Sequence, residues 1–333
     1  MGANKKISMN VIWITWEKQR RSINLARELN ADFLQITINA NAVYRYTASS
    51  IRTFFKIVSN RRSVIIVQNP SIILAFVATI LKKILLFKLV IDRHTDPYLL
   101  GKGSGIIYKL FSRISNFTLK HADLTIVTND ELSEIVKTKN GKAYILPDPF
   151  PEIKKFIQHN TKLVSDNKPS CMVVSSWYYD EPLEEIFKAA ERLPNVDFYV
   201  TGNPKKSYAT IIENRPKNVI LTGYVDDYQF YTMMAQCDYV IAITTDDATL
   251  VCGAYESIVM NKPFITGQSK ALKSYFKDAA IYSDGTADSI IAASEYILDN
   301  HDTINTKIKK YHQDTEQAWR VNFNNLKSKL EKL

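Results

Sequence analysis

Short β-branched and apolar runs alternate along this chain with longer stretches whose apolar residues recur at helical spacing. That alternation restricts the fold to parallel sheets covered by helices. In the first half the spacing predicts strands at 10–15, 33–38, 63–68, 88–92, 124–128 and 143–146, and helices at 20–29, 49–59, 71–86, 106–121 and 130–137. Pro147, Pro149 and Pro151 then interrupt both periodicities, and a polar stretch at 160–169 follows, which reads as an interdomain linker. The rhythm restarts with strands at 171–176, 197–201, 219–222, 239–243, 264–266 and 280–282 and helices at 182–192, 228–235, 251–260, 270–276 and 287–298. One or two further helices are expected over 303–330, with Trp319, Val321 and Phe323 as apolar anchors. The expected class is α/β, with two doubly wound Rossmann-like domains facing a cleft. Residues 1–150 make the first domain, 151–169 the linker and 170–311 the second, and helices at 312–333 pack back on the first.

A length of 333 residues fits two such domains. With 46% apolar residues and 10 glycines, the chain is neither disordered nor collagen-like. Charge is uneven: residues 1–150 hold 22 lysines and arginines against 10 acidic residues, a balance of +12, while the remainder holds 21 against 24, or −3. The first domain therefore attracts polyanions such as an anionic membrane, nucleic acid or phosphorylated ligands. No zinc-finger spacing, RNP signature or basic zipper supports nucleic acid, which is not expected as a partner. Cys171, Cys237 and Cys252 have no metal-ligand spacing and read as small buried hydrophobes in a reducing compartment. No secretory signal is readable, so the expected location is the cytoplasm. The unbroken apolar run at 72–81 is too short to span a bilayer, which takes about 20 residues. It reads either as an amphipathic helix on a membrane surface or as a core helix with solvated Lys82 and Lys83.

In open parallel sheets, ligands sit outside the carboxyl ends of the strands, so residues that follow strands are the site candidates. After the strand at 239–243 come Asp247, Thr249, Leu250 and Val251, then a helix carrying Glu256. Unpaired N–H groups and the positive dipole end at such a helix start suit a diphosphate. Glu256 could then accept from ribose hydroxyls, or could be a plain helix glutamate. Gly202 permits close backbone approach after the strand at 197–201, and Lys205 and Lys206 are cations for the leaving diphosphate or for solvent. In the first domain Asp92, His94 and Asp96 follow a strand. They are candidates for general base and for contacts to the donor sugar, with turn capping as the alternative for Asp92. Arg20 and Arg21 could meet an acceptor diphosphate or be surface charges, and Gly103 lies in a glycine-rich loop read as an acceptor flap. No Asp-any-Asp triplet occurs, so no metal site and no cofactor are expected.

The stretch GAYESIVMNKPFI at 253–265 resembles the signature of GT-B nucleotide-sugar glycosyltransferases of the family 4 type, with Glu256 at their second conserved glutamate. Their first glutamate falls at Ala248, where Asp246 or Asp247 could substitute, and their Arg/Lys clamp is replaced by Ser175-Ser176-Trp177-Tyr178-Tyr179-Asp180-Glu181. That replacement, with Gln68-Asn69-Pro70-Ser71 and Ile91-Asp92-Arg93-His94, is similar to the β-mannosyltransferases that act on dolichyl-diphosphate chitobiose. The resemblance implies a metal-independent hexosyltransferase of glycan or polysaccharide biosynthesis, peripheral on the cytoplasmic face of a membrane. Its partners would be a nucleotide-sugar donor and a lipid-linked or oligosaccharide acceptor. A nucleotide-sugar epimerase and a nonenzymatic saccharide or membrane-surface module are the alternatives.

Overall fold

The side chains of Val11–Thr15 are buried without exception, as expected of a strand covered on both faces. They alternate between two cores: Val11 and Trp13 pack with Leu25 and Trp319, whereas Ile12 and Ile14 pack with Ile57 and Leu74. The computed structural model describes residues 10–69, 71–94, 103–157 and 161–333. The chain divides into two units, one of residues up to Pro149 together with Ala318–Leu333, the other Phe150–Gln317.

In the first unit the strands are β1 (Val11–Thr15), β2 (Asp32–Gln35), β3 (Val64–Asn69), β4 (Lys88–Arg93), β5 (Leu124–Val127) and β6 (Ala143–Ile145). All pairs are parallel, in the order β2-β1-β3-β4-β5-β6. Its helices are α1 (Arg20–Glu28), α2 (Ala42–Ser59), α3 (Ile72–Leu85), α4 (Ile106–His121) and α5 (Asp130–Thr138). Helix α3 is a core helix through Leu74, Ala75 and Ala78, with Ile80 and Ile84 on its exposed edge. Among the described residues, no helix is long and apolar enough to cross a membrane.

The second unit contains β7 (Ser170–Val173), β8 (Asp197–Thr201), β9 (Val219–Gly223), β10 (Tyr239–Ala242), β11 (Phe264–Gly267) and β12 (Ile281–Ser283). These too are parallel, ordered β12-β11-β10-β7-β8-β9. The helices are α6 (Leu183–Arg192), α7 (Ala209–Glu213), α8 (Asp227–Gln236), α9 (Cys252–Val259), α10 (Lys270–Phe276) and α11 (Ala287–Asp299). The strand order reverses at β1/β3 in the first sheet and at β7/β10 in the second, which marks the carboxyl ends of those pairs as ligand positions.

A single helix, α12 (His301–Glu331), ends the chain. Ile304, Ile308 and Tyr311 join the second core, and Trp319, Phe323, Leu326 and Leu330 join the first. Trp319 Nε1 donates to the Pro147 carbonyl at 2.9 Å, and Asn322 accepts from the Tyr144 hydroxyl. The stretch read as a linker packs onto the second unit: Ile153 and Val164 are buried, and the N–H groups of Leu163 and Val164 donate to Gln236 Oε1. Cys171 and Cys237 are buried, but Cys252 is exposed because it opens α9 at the strand ends, a correction to the reading of all three as core residues.

Candidate functional site

In the first unit the site grows from the turn after β1. Arg20 and Arg21 open α1, where the helix dipole disfavours cations. Arg20 is exposed. The Arg21 side chain is only 3% exposed and lies between two carboxylates. Its Nε donates to Asp92 Oδ1 at 3.0 Å, its Nη2 to Asp92 Oδ1 and to the Leu146 carbonyl at 2.9 Å each, and its Nη1 pairs with Asp148. Burial opposes the guanidinium charge, but Asp92 and Asp148 outweigh it and hold the pKa above the ordinary arginine value. Arg21 is thus placed as a buried tie between the ends of β4 and β6, and Asp92 as its counter-charge.

His94 lies beside this tie, with Nδ1 3.9 Å from Asp92 Oδ2 and Nε2 against the Gln19 amide nitrogen. Gln19 in turn accepts from the Ser22 hydroxyl at 3.2 Å. Burial pushes the imidazole pKa below its ordinary 6.5; Asp92 opposes that shift and Arg21 adds to it. The ring is therefore neutral near pH 7, able to accept at Nε2 with its proton on the Asp92 side. A lowered folded-state pKa means that the unfolded chain binds the proton first as pH falls, so stability drops below about 6.5. In Tm measurements between about pH 7 and about pH 5, His94→Gln is expected to lose less stability than the wild type. Equal slopes would show that His94 is not held neutral.

Next to the β1/β3 switch point lies a cavity of about 310 Å³. Trp16 and Glu17 wall it after β1, Arg45, Tyr46 and Ser49 from α2, and Ser71 at the start of α3. Trp16 Nε1 donates to Thr53 Oγ1 at 3.0 Å, and its ring lies 6.3 Å from that of Tyr46. Gly103 is exposed and lies against Tyr108, whose ring a Cβ at this position would meet at 2.2 Å. Asp96 lies outside the described residues.

In the second unit α9 starts at the β7/β10 switch point. Val251, half-buried, precedes it without a side-chain cap, and its first turn holds no acidic residue. Gly253 makes this position possible: a Cβ there would come within 2.9 Å of Ala242 Cβ and 3.2 Å of Val174 Cβ. Asp247 is exposed, while Thr249 and Leu250 are half-buried in the approach to the helix. Glu256 is buried and accepts from the Tyr231 hydroxyl at 3.0 Å. Ala248, at the family's first glutamate, is buried, and its N–H donates to Asp246 Oδ1 at 2.9 Å.

The loop after β7 is organised around Glu181, a role without a sequence signature. The N–H groups of Ser176 and Trp177 donate to its carboxylate at 3.0 Å each, and the hydroxyls of Ser175 and Ser176 at 2.5 and 2.7 Å. The chain's own carboxylate fills this nest of donors, the kind of concavity that binds anions. Trp177 is held at φ 58° with its indole N–H on the Thr201 carbonyl at 3.0 Å. Asp180 fastens the loop to the end of β10: its carboxylate accepts from Thr244 Oγ1 at 2.5 Å and its carbonyl from the Thr245 N–H at 2.8 Å. Gly202, at φ 84°, lets β8 pass Ser175, whose carbonyl a Cβ would meet at 2.3 Å. Lys205 and Lys206 are exposed, and the Lys205 ammonium sits 3.7 Å from the Tyr178 ring centroid.

No family model matches the chain, and no curated protein matches its sequence. Solved structures do match across nearly its whole length. Sucrose-phosphate synthase from Thermosynechococcus elongatus superposes with a TM-score of 0.77 at 12% identity, covering 97% of this chain and 98% of that one. HepE from Anabaena in complex with UDP-glucose gives 0.74 at 11% identity, covering 98% and 100%. A glycosyltransferase from Rickettsia africae gives 0.70 at 13% identity, covering 97% and 98%. Two six-stranded parallel sheets in this order, with these neighbours, give the chain the GT-B glycosyltransferase fold.

Proposed function

We propose that this protein transfers a hexosyl group, without a metal ion, from a nucleotide-diphosphate sugar to a saccharide carried at the cytoplasmic face of a membrane, in glycan or polysaccharide biosynthesis. The observation that carries the donor reading is the α9 N-terminus, brought to the β7/β10 switch point by Gly253, where the N-cap residue Val251 makes no side-chain cap. Because Glu181 already satisfies the nest after β7, the diphosphate falls to α9 and to the Lys205 and Lys206 cations. Glu256, fixed by Tyr231, takes the ribose. UDP bound to a structural neighbour supports this class of donor.

For the membrane, the +12 balance of residues 1–150 suits an anionic leaflet. Phe54 and Phe55 on α2, Ile84 on α3, and Ile106, Ile107 and Leu110 on α4 are exposed in the same unit.

Calorimetric titration with UDP and GDP tests the donor site. The wild type is expected to bind one of them selectively, and Glu256→Gln, which keeps an acceptor for Tyr231, to bind it about tenfold more weakly. A folded protein that binds neither nucleotide overturns the donor assignment.

A further inference from the structure

The loop between β7 and α6 ties three strand ends of the second unit together, and one side chain gathers the loop. Donors surround the Glu181 carboxylate: the N–H groups of Ser176, Trp177 and Tyr178 at 3.0, 3.0 and 3.4 Å, and the hydroxyls of Ser175 and Ser176. Three successive N–H groups converge on it with Trp177 turned into the left-handed region at φ 58°. A bulky residue keeps such a conformation where its surroundings over-determine it. The Trp177 indole is fully buried and donates to the Thr201 carbonyl at the end of β8, and the Ser175 N–H donates to Thr201 Oγ1 at 3.2 Å. A carboxylate suits this place because it only accepts, whereas an amide would turn its own N–H groups against the donors.

Two arms run from this loop to the groups assigned to the diphosphate. On one side Asp180, next to Glu181 in the chain, accepts from Thr244 Oγ1 at 2.5 Å, and its carbonyl accepts from the Thr245 N–H and hydroxyl at 2.8 and 3.1 Å. Thr244 Oγ1 in turn accepts from the Asp246 N–H at 3.1 Å, and Asp246 from the Ala248 N–H at 2.9 Å. The approach to α9 is thereby fixed from the end of β10 to Ala248. On the other side Tyr178 accepts at its carbonyl from the Tyr208 hydroxyl at 3.0 Å, and its ring holds the Lys205 ammonium 3.7 Å from the centroid. The start of α9 and Lys205 follow different strands, β10 and β8, and share this one anchor.

We infer that Glu181 is a positioning residue of the donor site: its carboxylate is a resident anion, and the loop gathered around it sets both the approach to α9 and the place of Lys205 for the diphosphate. The inference rests on the donor half of the function proposed above and adds to it a residue that acts on the ligand through others.

Acetate supplies the atoms that Glu181→Ala removes, and Ser176, on the rim of the nest, is exposed to solvent. UDP, GDP, uridine and guanosine are titrated calorimetrically into the full-length wild type and variants, in acetate and in chloride of equal ionic strength. In chloride, Glu181→Ala is expected to bind the diphosphate that the wild type selects about tenfold more weakly, and the matching nucleoside as the wild type does. Acetate should restore most of that affinity and raise the Tm of the variant, and should leave the wild type, whose nest is filled, unchanged. Glu181→Gln keeps the volume and one acceptor oxygen, and so keeps the test decisive should Glu181→Ala not fold. It should lose severalfold in diphosphate affinity and nothing in nucleoside affinity. Variants that bind the diphosphate as tightly as the wild type overturn the inference and leave the donor reading standing. A loss shared equally by the nucleoside, or a loss in Glu181→Ala that acetate does not repair, marks general damage to the second unit and also overturns it. A wild type that binds neither nucleotide overturns the donor reading, and this inference with it.

Discussion

Asp92→Ala is expected to destabilise the protein by about 3–5 kcal/mol, because it leaves the Arg21 guanidinium buried beside a single remaining carboxylate. That carboxylate, Asp148, is 33% exposed and partly solvated, and so a weaker partner than the fully buried Asp92. Asp148→Ala should therefore cost clearly less. Removing both charges with Arg21→Met and Asp92→Leu should recover most of the loss, since an ion pair taken out whole leaves no orphan. Urea unfolding of the four proteins provides the test. An Asp92→Ala variant within about 0.5 kcal/mol of the wild type, the range of an ordinary surface substitution, would remove the tie between β4 and β6 from this account.

Gly253→Val should act on the second unit with a sign opposite to helix propensity. On propensity alone the change helps, since glycine is about 0.8–1.0 kcal/mol worse than alanine in a helix and valine lies between them. The structure predicts the reverse: with Ala242 Cβ at 2.9 Å and Val174 Cβ at 3.2 Å from the new Cβ, the start of α9 must lift from β7 and β10. Overpacking of this kind costs about 1–3 kcal/mol. Because the displaced turn is the one assigned to the diphosphate, nucleotide affinity should fall at least tenfold. A variant with raised Tm and unchanged affinity would show that the close approach of α9 has no part in binding.

Most of the fold is legible in the sequence because central parallel strands are near-continuous apolar runs. VIWIT in β1 and LTIV in β5 are buried at every position, and the strand expected at 197–201 is β8 to the residue. Helix α2 is expected only from 49, yet it starts at Ala42, because Val43 and Tyr44 face solvent and break the one-sided pattern that marks a helix. The strand expected at 171–176 ends at Val173, because Ser175, Ser176 and Trp177 turn to enclose Glu181. Site residues are legible by position more than by partner. Arg21 follows a strand as expected, but the carboxylates that bury it are 71 and 127 positions away, and no local pattern carries that pairing. The cavity on α2 and α3 escapes a sequence reading for a similar reason: its walls come from separate segments, and its buried hydroxyl, Ser49, reads in the sequence as an unremarkable helix serine.

Helix α12 has a consequence for how the molecule is made. Trp319, Phe323, Leu326 and Leu330 complete the core of the first unit, and Tyr144 meets Asn322 across 178 positions of chain. During synthesis the first unit therefore emerges with one side of its sheet covered only in part, by Leu25, Ala26 and Leu29 of α1, and it stays so while the whole second unit is translated, although domains ordinarily fold as they leave the ribosome. Until Trp319, Phe323, Leu326 and Leu330 arrive, this core is incomplete, so the nascent first unit offers a chaperone an apolar face that the finished protein conceals.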